Sequence, residues 1–464
     1  MPPKPADKKD KKKVKLPFKF LDDKNNELEP EPYFLYLEKK YKAISKTAEV
    51  VPSPEFVTLI RSVFNSEDKS KQGVPFSQCT FTSASNPKQI TLALKILEIY
   101  EPIQRISFTE CEINTDVIKQ LNIVLQKQKL IKFIAFAATK VAEQDLIQLL
   151  QVIPQSSVKT IKLENEVFGE AFLTQLGIMI NKYVQLTKQK ARSAIDEAQA
   201  KYAEEQEKLL NSKKKKKKSK KSKKGGDIYL MEVDDLYPTY FFLESFVFRY
   251  CKISPLVAHN LGKMVEIASQ YLTQIDLRGN EFGAVGLGEI GAGLERCGLK
   301  LINKKVKGEI PLQTEVYTGS KFVKLQNLDL SNCLIQEDFP TAYKAFGSGI
   351  RYCGNLQEIN LLGNECAKYL NYLNPSFMLQ KQLVKVQLPI NADPELEKEL
   401  VTQLKEHRKK QAEVVKTMKK LAKEAKKAAK LAKKEKKAQM DAAKAAGGEK
   451  KGGDADLMTV ETVV

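Results

Sequence analysis

Leu272-Thr-Gln-Ile275-Asp-Leu277-Arg-Gly-Asn280-Glu-Phe282 decides how this chain folds. Ile275 and Leu277 alternate with Asp276 and Arg278, the period of a strand with one buried face, and Leu272 leads into that face three residues earlier. The same grid returns as Leu325-Gln-Asn-Leu328-Asp-Leu330-Ser-Asn-Cys333-Leu-Ile335 and as Leu356-Gln-Glu-Ile359-Asn-Leu361-Leu-Gly-Asn364-Glu-Cys366. Looser copies place Phe76, Cys79 and Phe81, then Ile103, Ile106, Phe108, Cys111 and Ile113, then Ile131, Ile134, Phe136, Thr139 and Val141. Three more run through Val158, Ile161, Leu163, Glu166 and Phe168, through Leu243, Phe246, Phe248, Cys251 and Ile253, and through Leu383, Val386 and Leu388. The nine copies start 27, 28 and 27 residues apart at the N-terminal end and 29, 31 or 27 apart where later copies are adjacent.

A period near 28 residues, opening on a strand and running on into helical stretches at 115–128, 142–152, 255–270 and 284–296, is the signature of a stacked array. One strand-helix unit cannot bury its apolar side alone; stacked units share a continuous core, with strands on a concave face and helices on the convex one. Residues 76–390 resemble the ribonuclease-inhibitor type of leucine-rich repeat, whose units have this length and whose strand is followed by Asn or Cys. The resemblance implies an α/β solenoid. It also implies that Cys111, Cys251, Cys333, Asn280 and Asn364 satisfy backbone groups in the turns, a role from which Thr139 and Glu166 depart.

The net charge of +20 over 464 residues is uneven. Residues 1–20 carry +6, 211–224 carry +10 and 405–437 carry +11, so the rest of the chain is acidic at −7. Only 8 of the 77 basic residues are Arg, the residue that reads base edges as a bidentate fork, so sequence-specific nucleic-acid recognition is not expected. Lys213, Lys214, Lys215, Lys216, Lys217, Lys218, Lys220 and Lys221 read as a solvated loop that meets polyanions without specifying them.

Between the copies starting at 158 and 243 lie 85 residues, about 57 more than one unit needs. A charged helix over 170–210, polar beyond Leu186 and directed outward, accounts for much of that excess. The organisation expected is a basic arm at 1–16, a helical cap at 17–72, repeats at 73–186, the charged insertion at 187–240, and repeats at 241–390 with a second insertion near 299–322. Asp393-Pro394 is a helix start, opening a long basic helix at 393–440 before a disordered tail at 441–464.

Catalytic signatures are missing. Gly286-Leu-Gly288-Glu-Ile-Gly291 has the G-x-G-x-x-G form, but its place in the repeat turn, and the further Gly293, read as helix packing rather than dinucleotide binding. Neither His259 nor His407 sits in a metal-binding or triad pattern, and the seven scattered cysteines read as reduced thiols. No enzyme activity, cofactor or metal is expected. The mean hydropathy of −0.37, without an apolar run long enough to span a bilayer, argues against membrane insertion, and the basic N-terminus leads into no secretory h-region, so a cytoplasmic location is expected.

The helical lead, interrupted array and lysine-rich arms also resemble ciliary leucine-rich-repeat proteins of the leucine-rich repeat-containing protein 71 group. That resemblance implies a structural, cytoskeletal subunit of the cilium axoneme, held among other proteins of a large assembly, with its lysine arms meeting tubulin tails or neighbouring axonemal proteins. Two competing readings are a small-GTPase regulator, since Ran GTPase-activating proteins share this repeat type but carry an acidic tail, and a nuclear or nucleolar RNA-associated factor.

Specific binding is expected on the residues that alternate with the buried ones. These are mostly polar: Gln104, Arg105, Ser107 and Thr109; Thr273, Asp276 and Arg278; Gln326, Asp329 and Ser331; Glu358 and Asn360. Ile131-Lys-Phe133-Ile-Ala135-Phe-Ala137-Ala138 breaks the rule by leaving Phe133, Ala135 and Ala137 outward, and a slip of one residue would expose Ile131, Ile134 and Phe136 instead. An apolar strip of this kind is normally covered, by another segment of the chain or by a partner. The partner is the reading adopted, with Phe133 and Ala135 as anchors and Arg249, Asp276, Arg278, Asp329 and Asn360 as polar contacts on the concave face.

Overall fold

The period-2 segments form nine strands: β1 Gln78–Phe81, β2 Arg105–Thr109, β3 Phe133–Ala137, β4 Thr160–Glu164, β5 Ser245–Arg249, β6 Gln274–Asp276, β7 Asn327–Asp329, β8 Glu358–Asn360 and β9 Lys385–Gln387. In the computed structural model, which describes residues 20–63, 74–213, 240–306, 323–336, 339–389 and 391–445, they make one parallel sheet in sequential order. The chain divides into two units, residues 1–404, which hold the sheet, and 405–464.

Among the described residues there are eleven α-helices. They are α1 Pro30–Thr47, α2 Pro54–Ser62, α3 Pro87–Leu97, α4 Thr115–Lys127, α5 Glu143–Val152, α6 Glu170–Lys213, α7 Ala258–Ala268, α8 Gly283–Val306, α9 Pro340–Ile350, α10 Leu370–Leu379 and α11 Pro394–Ala445. From α3 to α10 each helix packs on the next, covering one face of the sheet. Against them the strands turn a row that pairs Ile106, Ile134, Ile161, Phe246, Ile275, Leu328, Ile359 and Val386 across consecutive strands, all buried except the half-buried Val386. A second buried row begins with the rings of Phe81, Phe108 and Phe136, stacked at 5.4 and 5.0 Å.

Strand ends repeat one backbone device. Glu110, Ala138, Asn165, Tyr250, Gly279, Asn332 and Gly363, all at the same place in their copies, have positive φ. Six of them turn their N–H onto the following coil: Glu110 to Ala137 O, Ala138 to Glu164 O, Asn165 to Arg249 O, Tyr250 to Arg278 O, Gly279 to Ser331 O and Asn332 to Leu362 O, at 2.8–2.9 Å. At the N-terminal end Phe34 lies against Phe76 and Tyr100, and Phe56 against Phe81, so α1 and α2 close the core over β1.

Two boundaries correct the sequence reading. The helix read as polar beyond Leu186 buries Thr187, Ala191 and Ile195, and Tyr240, just ahead of β5, packs on the last two. The helix placed at 284–296 runs to Val306, so the start of the insertion expected at 299–322 is helical; 307–322 lies outside the described residues. Despite the long excursion between them, β4 and β5 pair in register from Thr160↔Ser245 to Glu164↔Arg249.

Glycines in the G-x-G-x-x-G stretch are packing devices. A Cβ on Gly291 would meet the Phe346 backbone at 2.3 Å, and one on Gly293 the Gly262 carbonyl at 2.3 Å, so α8 touches α9 on one side and α7 on the other almost backbone to backbone.

The turns also explain Asn280, Asn364 and Glu166. Asn280 Oδ1 accepts from the N–H groups of Cys251 and Ile253 (3.0 and 3.2 Å), and its Nδ2 donates to the carbonyls of Phe248 and Leu277 (2.8 and 2.6 Å). Asn364 does the same for Cys333 and Ile335 (2.8 and 3.3 Å) and for Leu330 and Leu361 (2.8 and 2.9 Å). Glu166 keeps the accepting half, taking bonds from the Thr139 N–H and hydroxyl at 2.6 and 2.8 Å, while its Oε2 is buried without a partner. Burial pushes the Glu166 carboxyl above the usual range and outweighs the bonds from Thr139, Val141 and Lys140.

Two tests follow from this packing. Leu330 is fully buried, so Leu330→Ala should cost about 2–5 kcal/mol in denaturant unfolding, and a loss under about 0.5 kcal/mol would contradict the register. A buried acid whose pKa is raised on folding is at its most stabilising below the ordinary value and costs stability as pH climbs through the raised one. Glu166→Gln keeps the acceptor and makes the second group a donor, so melts from about pH 4 to 8 should show the parent losing stability relative to the variant as pH rises. Parallel curves would mean that Glu166 is not the titrating group.

Candidate interaction surface

Opposite the helices, the sheet presents two rows of side chains. One passes from Arg105 through Phe133, Thr160, Ser245, Gln274, Asn327 and Glu358 to Lys385; the next from Ser107 through Ala135, Lys162, Val247, Asp276, Asp329 and Asn360 to Gln387. Among the described residues of the unit that holds the sheet, the helices α3 to α10 pack in one layer on its other side, and the chemistry of this face changes at β5.

From β5 to β8 the charges satisfy one another. Arg249 donates from Nε and Nη2 to Asp276 Oδ2 at 2.8 and 2.6 Å. Arg278 Nη2 donates to Asp329 Oδ2 at 2.5 Å, and the same carboxylate accepts from Asn360 Nδ2 at 3.1 Å and from the Ser331 hydroxyl at 2.6 Å. Burial works to raise the Asp329 carboxyl, but Arg278, Ser331 and Asn360 overcome it and leave it below the usual carboxylate range. The five polar residues selected from sequence therefore converge: Arg249, Asp276, Arg278, Asp329 and Asn360 line one groove of about 260 Å³.

From β2 to β5 the face is apolar at its centre and cationic along one edge. Ala135 is buried, Phe133 and Ala137 are half-buried, and the Arg105 guanidinium lies over the Phe133 ring at 4.0 Å. Lys132 lies 5.7 Å from the Phe242 ring centre, Lys162 pairs with Glu164 and Lys159 with Glu244. Val247, aligned with Lys162, adds to the apolar strip. The sequence concealed it inside Phe246-Val247-Phe248, a continuous apolar run with no alternation to read.

Phe133 and Ala135 thus share a face with the polar five but form a patch of their own on β3. Lys213 ends α6; Lys214, Lys215, Lys216, Lys217, Lys218, Lys220 and Lys221 lie outside the described residues. All seven cysteines are free and buried, and burial pushes the thiols of Cys251 and Cys333 up to about 12. Among the described residues no group of three or more His, Cys, Asp or Glu side chains could hold a metal, and no helix is long and apolar enough to cross a membrane. No protein-family model matches the chain, and no curated protein sequence is significantly similar to it.

A carboxylate whose pKa is lowered on folding stabilises above its ordinary pKa, and that contribution is lost as pH falls through the folded value. Asp329→Asn should therefore cost about 1–3 kcal/mol at neutral pH and flatten the acid limb of the stability curve below about pH 4. Denaturant titrations of parent and variant across that range check both effects.

Proposed function

We propose that the chain is a non-enzymatic scaffold of the ribonuclease-inhibitor type of leucine-rich repeat, binding other proteins on the open face of its sheet. The observation that carries this reading is the face itself: strands in register, the helices α3 to α10 layered on the other side, and an apolar centre at Phe133, Ala135 and Val247 edged by Arg105 and Lys132. Such a face buries apolar area at the centre of an interface and leaves a polar rim, the arrangement in which a few anchors supply most of the affinity.

The assembly proposed is the ciliary axoneme, as a radial-spoke, linker or doublet-associated subunit. Support for it is the sequence resemblance together with the two kinds of surface that such a subunit needs. One is a shaped face for a specific neighbour; the other is lysine-rich sequence, at 213–224 and 405–437, for acidic surfaces such as tubulin tails. The basic tail counts against the Ran GTPase-activating analogy.

Co-sedimentation with demembranated axonemes tests the reading, run at raised ionic strength where the lysine segments are screened. The parent should pellet with axonemes. Phe133→Glu should remain in the supernatant with its circular dichroism and melting temperature unchanged, because the ring faces outward. A parent that does not pellet, a variant that still does, or a variant that unfolds would overturn the assignment.

A further inference from the structure

The turns that follow β5, β6 and β7 carry a second surface. Pro255, Phe282, Val285, Leu334 and Phe339 line a groove of about 270 Å³ at the strand ends. Its apolar groups are unusually open to water: Leu334 is 58% exposed, Phe339 50% and Val285 45%, while Leu256, next to Pro255, is 94% exposed. Scattered single exposed apolar residues need no explanation, but several converging on one groove mark an interaction site.

Leu334 is the most informative of them. Its φ is 53°, as are those of Lys140 and Lys252 to within a degree at the same place in their repeats, so these three turns demand left-handed backbone there, whereas the turns of Glu281 and Glu365 do not. A lysine meets that demand with its charged end in water; leucine combines an unfavourable backbone with an exposed apolar side chain. Nothing in the core of the repeat array needs it.

Charge and hydrogen bonding narrow the occupant. Glu281 lines the groove, whose described lining contains no cation. Glu365, tied to the Leu334 turn by its N–H to Ile335 O at 2.9 Å, is likewise exposed, and among the described residues neither carboxylate forms an ion pair. The backbone here is already occupied, since Gly279 N–H donates to Ser331 O, Glu281 N–H to Ile253 O and Gly283 N–H to Cys333 O. An added strand would find few partners; a helix, which satisfies its own backbone, needs none. We propose that this groove docks a basic amphipathic helix of another protein. Its bulky apolar residue sits among Val285, Leu334 and Phe339, above the buried Phe282, and its lysines or arginines meet Glu281 and Glu365.

The test is fluorescence anisotropy with the full chain and a labelled lysine–alanine peptide of about 16 residues carrying leucines at i and i+4. Matched peptides with glutamate for lysine, or serine for leucine, are the controls. Saturable binding of the lysine–leucine peptide alone is expected. Leu334→Asn should weaken it at least about tenfold, the loss of one seated apolar side chain, without lowering the melting temperature, because Asn tolerates the left-handed turn. Glu281→Lys should weaken it as well, whereas Phe133→Glu should leave it unchanged, which separates this groove from the open sheet face. Absence of binding, equal binding of either control peptide, or an unchanged affinity in Leu334→Asn would overturn the proposal.

Discussion

The hydrogen bond from the left-handed residue past six of the nine strands, β2 to β7, to a carbonyl of the following coil constrains the rest of the array. A parallel ladder of three to five residues is short, and these bonds extend it by one rung into the turn, from Glu110 onto β3 through to Asn332 onto Leu362. Each is worth only about 1 kcal/mol net. Their larger effect is geometric: these coils leave their strands in the same direction, so their crossovers arrive on the same face and the helices stack there. Among the described residues of that unit, the opposite face is lined by the strands' own outward side chains. The turns thus send the helices α3 to α10 to one side of the sheet.

The open face is not uniform, and the division has a physical origin. Where Arg and Asp alternate across neighbouring strands, as at Arg249–Asp276 and Arg278–Asp329, each charge meets an opposite one in its own sheet. Such pairs fix the side chains and leave little free charge to steer a partner. Around β3 the cations instead lie on aromatic rings, Arg105 on Phe133 and Lys132 on Phe242, contacts that leave their N–H groups open to an acceptor from outside. The polar residues near β6 and β7 therefore shape the surface, and those near β3 are suited to receive a ligand.

Period and side-chain direction were legible in the sequence because Ile275, Leu328 and Ile359 recur with the same offsets, and a one-residue slip would turn each row to the other face. The polar five on β5 to β8 were legible for the same reason, as partners of those rows. Val247 was hidden because Phe246 and Phe248 flank it, so the outward position has no polar marker. Ala191 and Ile195 were missed because the surface that covers them includes Tyr240, which returns beside α6 after a long excursion, and local periodicity cannot report such a neighbour. Glu166 broke the Asn-or-Cys rule in sequence yet holds the same turn, since a carboxyl oxygen can accept wherever an asparagine oxygen does. Leu334 stands between two positions of the apolar grid, at a place the grid leaves open, and its left-handed backbone could not be read without the turn's φ.

The glycines of α8 bear on the bend of the array. Strands in a sheet repeat about every 4.8 Å, whereas helices pack about 8–10 Å apart, and an array that stacks both must curve to absorb the difference. The mismatch shrinks wherever helices approach more closely. At Gly291 and Gly349, and again at Gly262 and Gly293, side chains have been removed from the contact altogether, and α7, α8 and α9 come together through their main chains. Across these three coils backbone contact sets the spacing of the helix layer, whereas α3 to α5 bury Leu and Ile side chains. Any side chain larger than hydrogen at these positions would wedge the helices apart, so the close approach that lessens the mismatch with the strands depends on the absence of a few β-carbons.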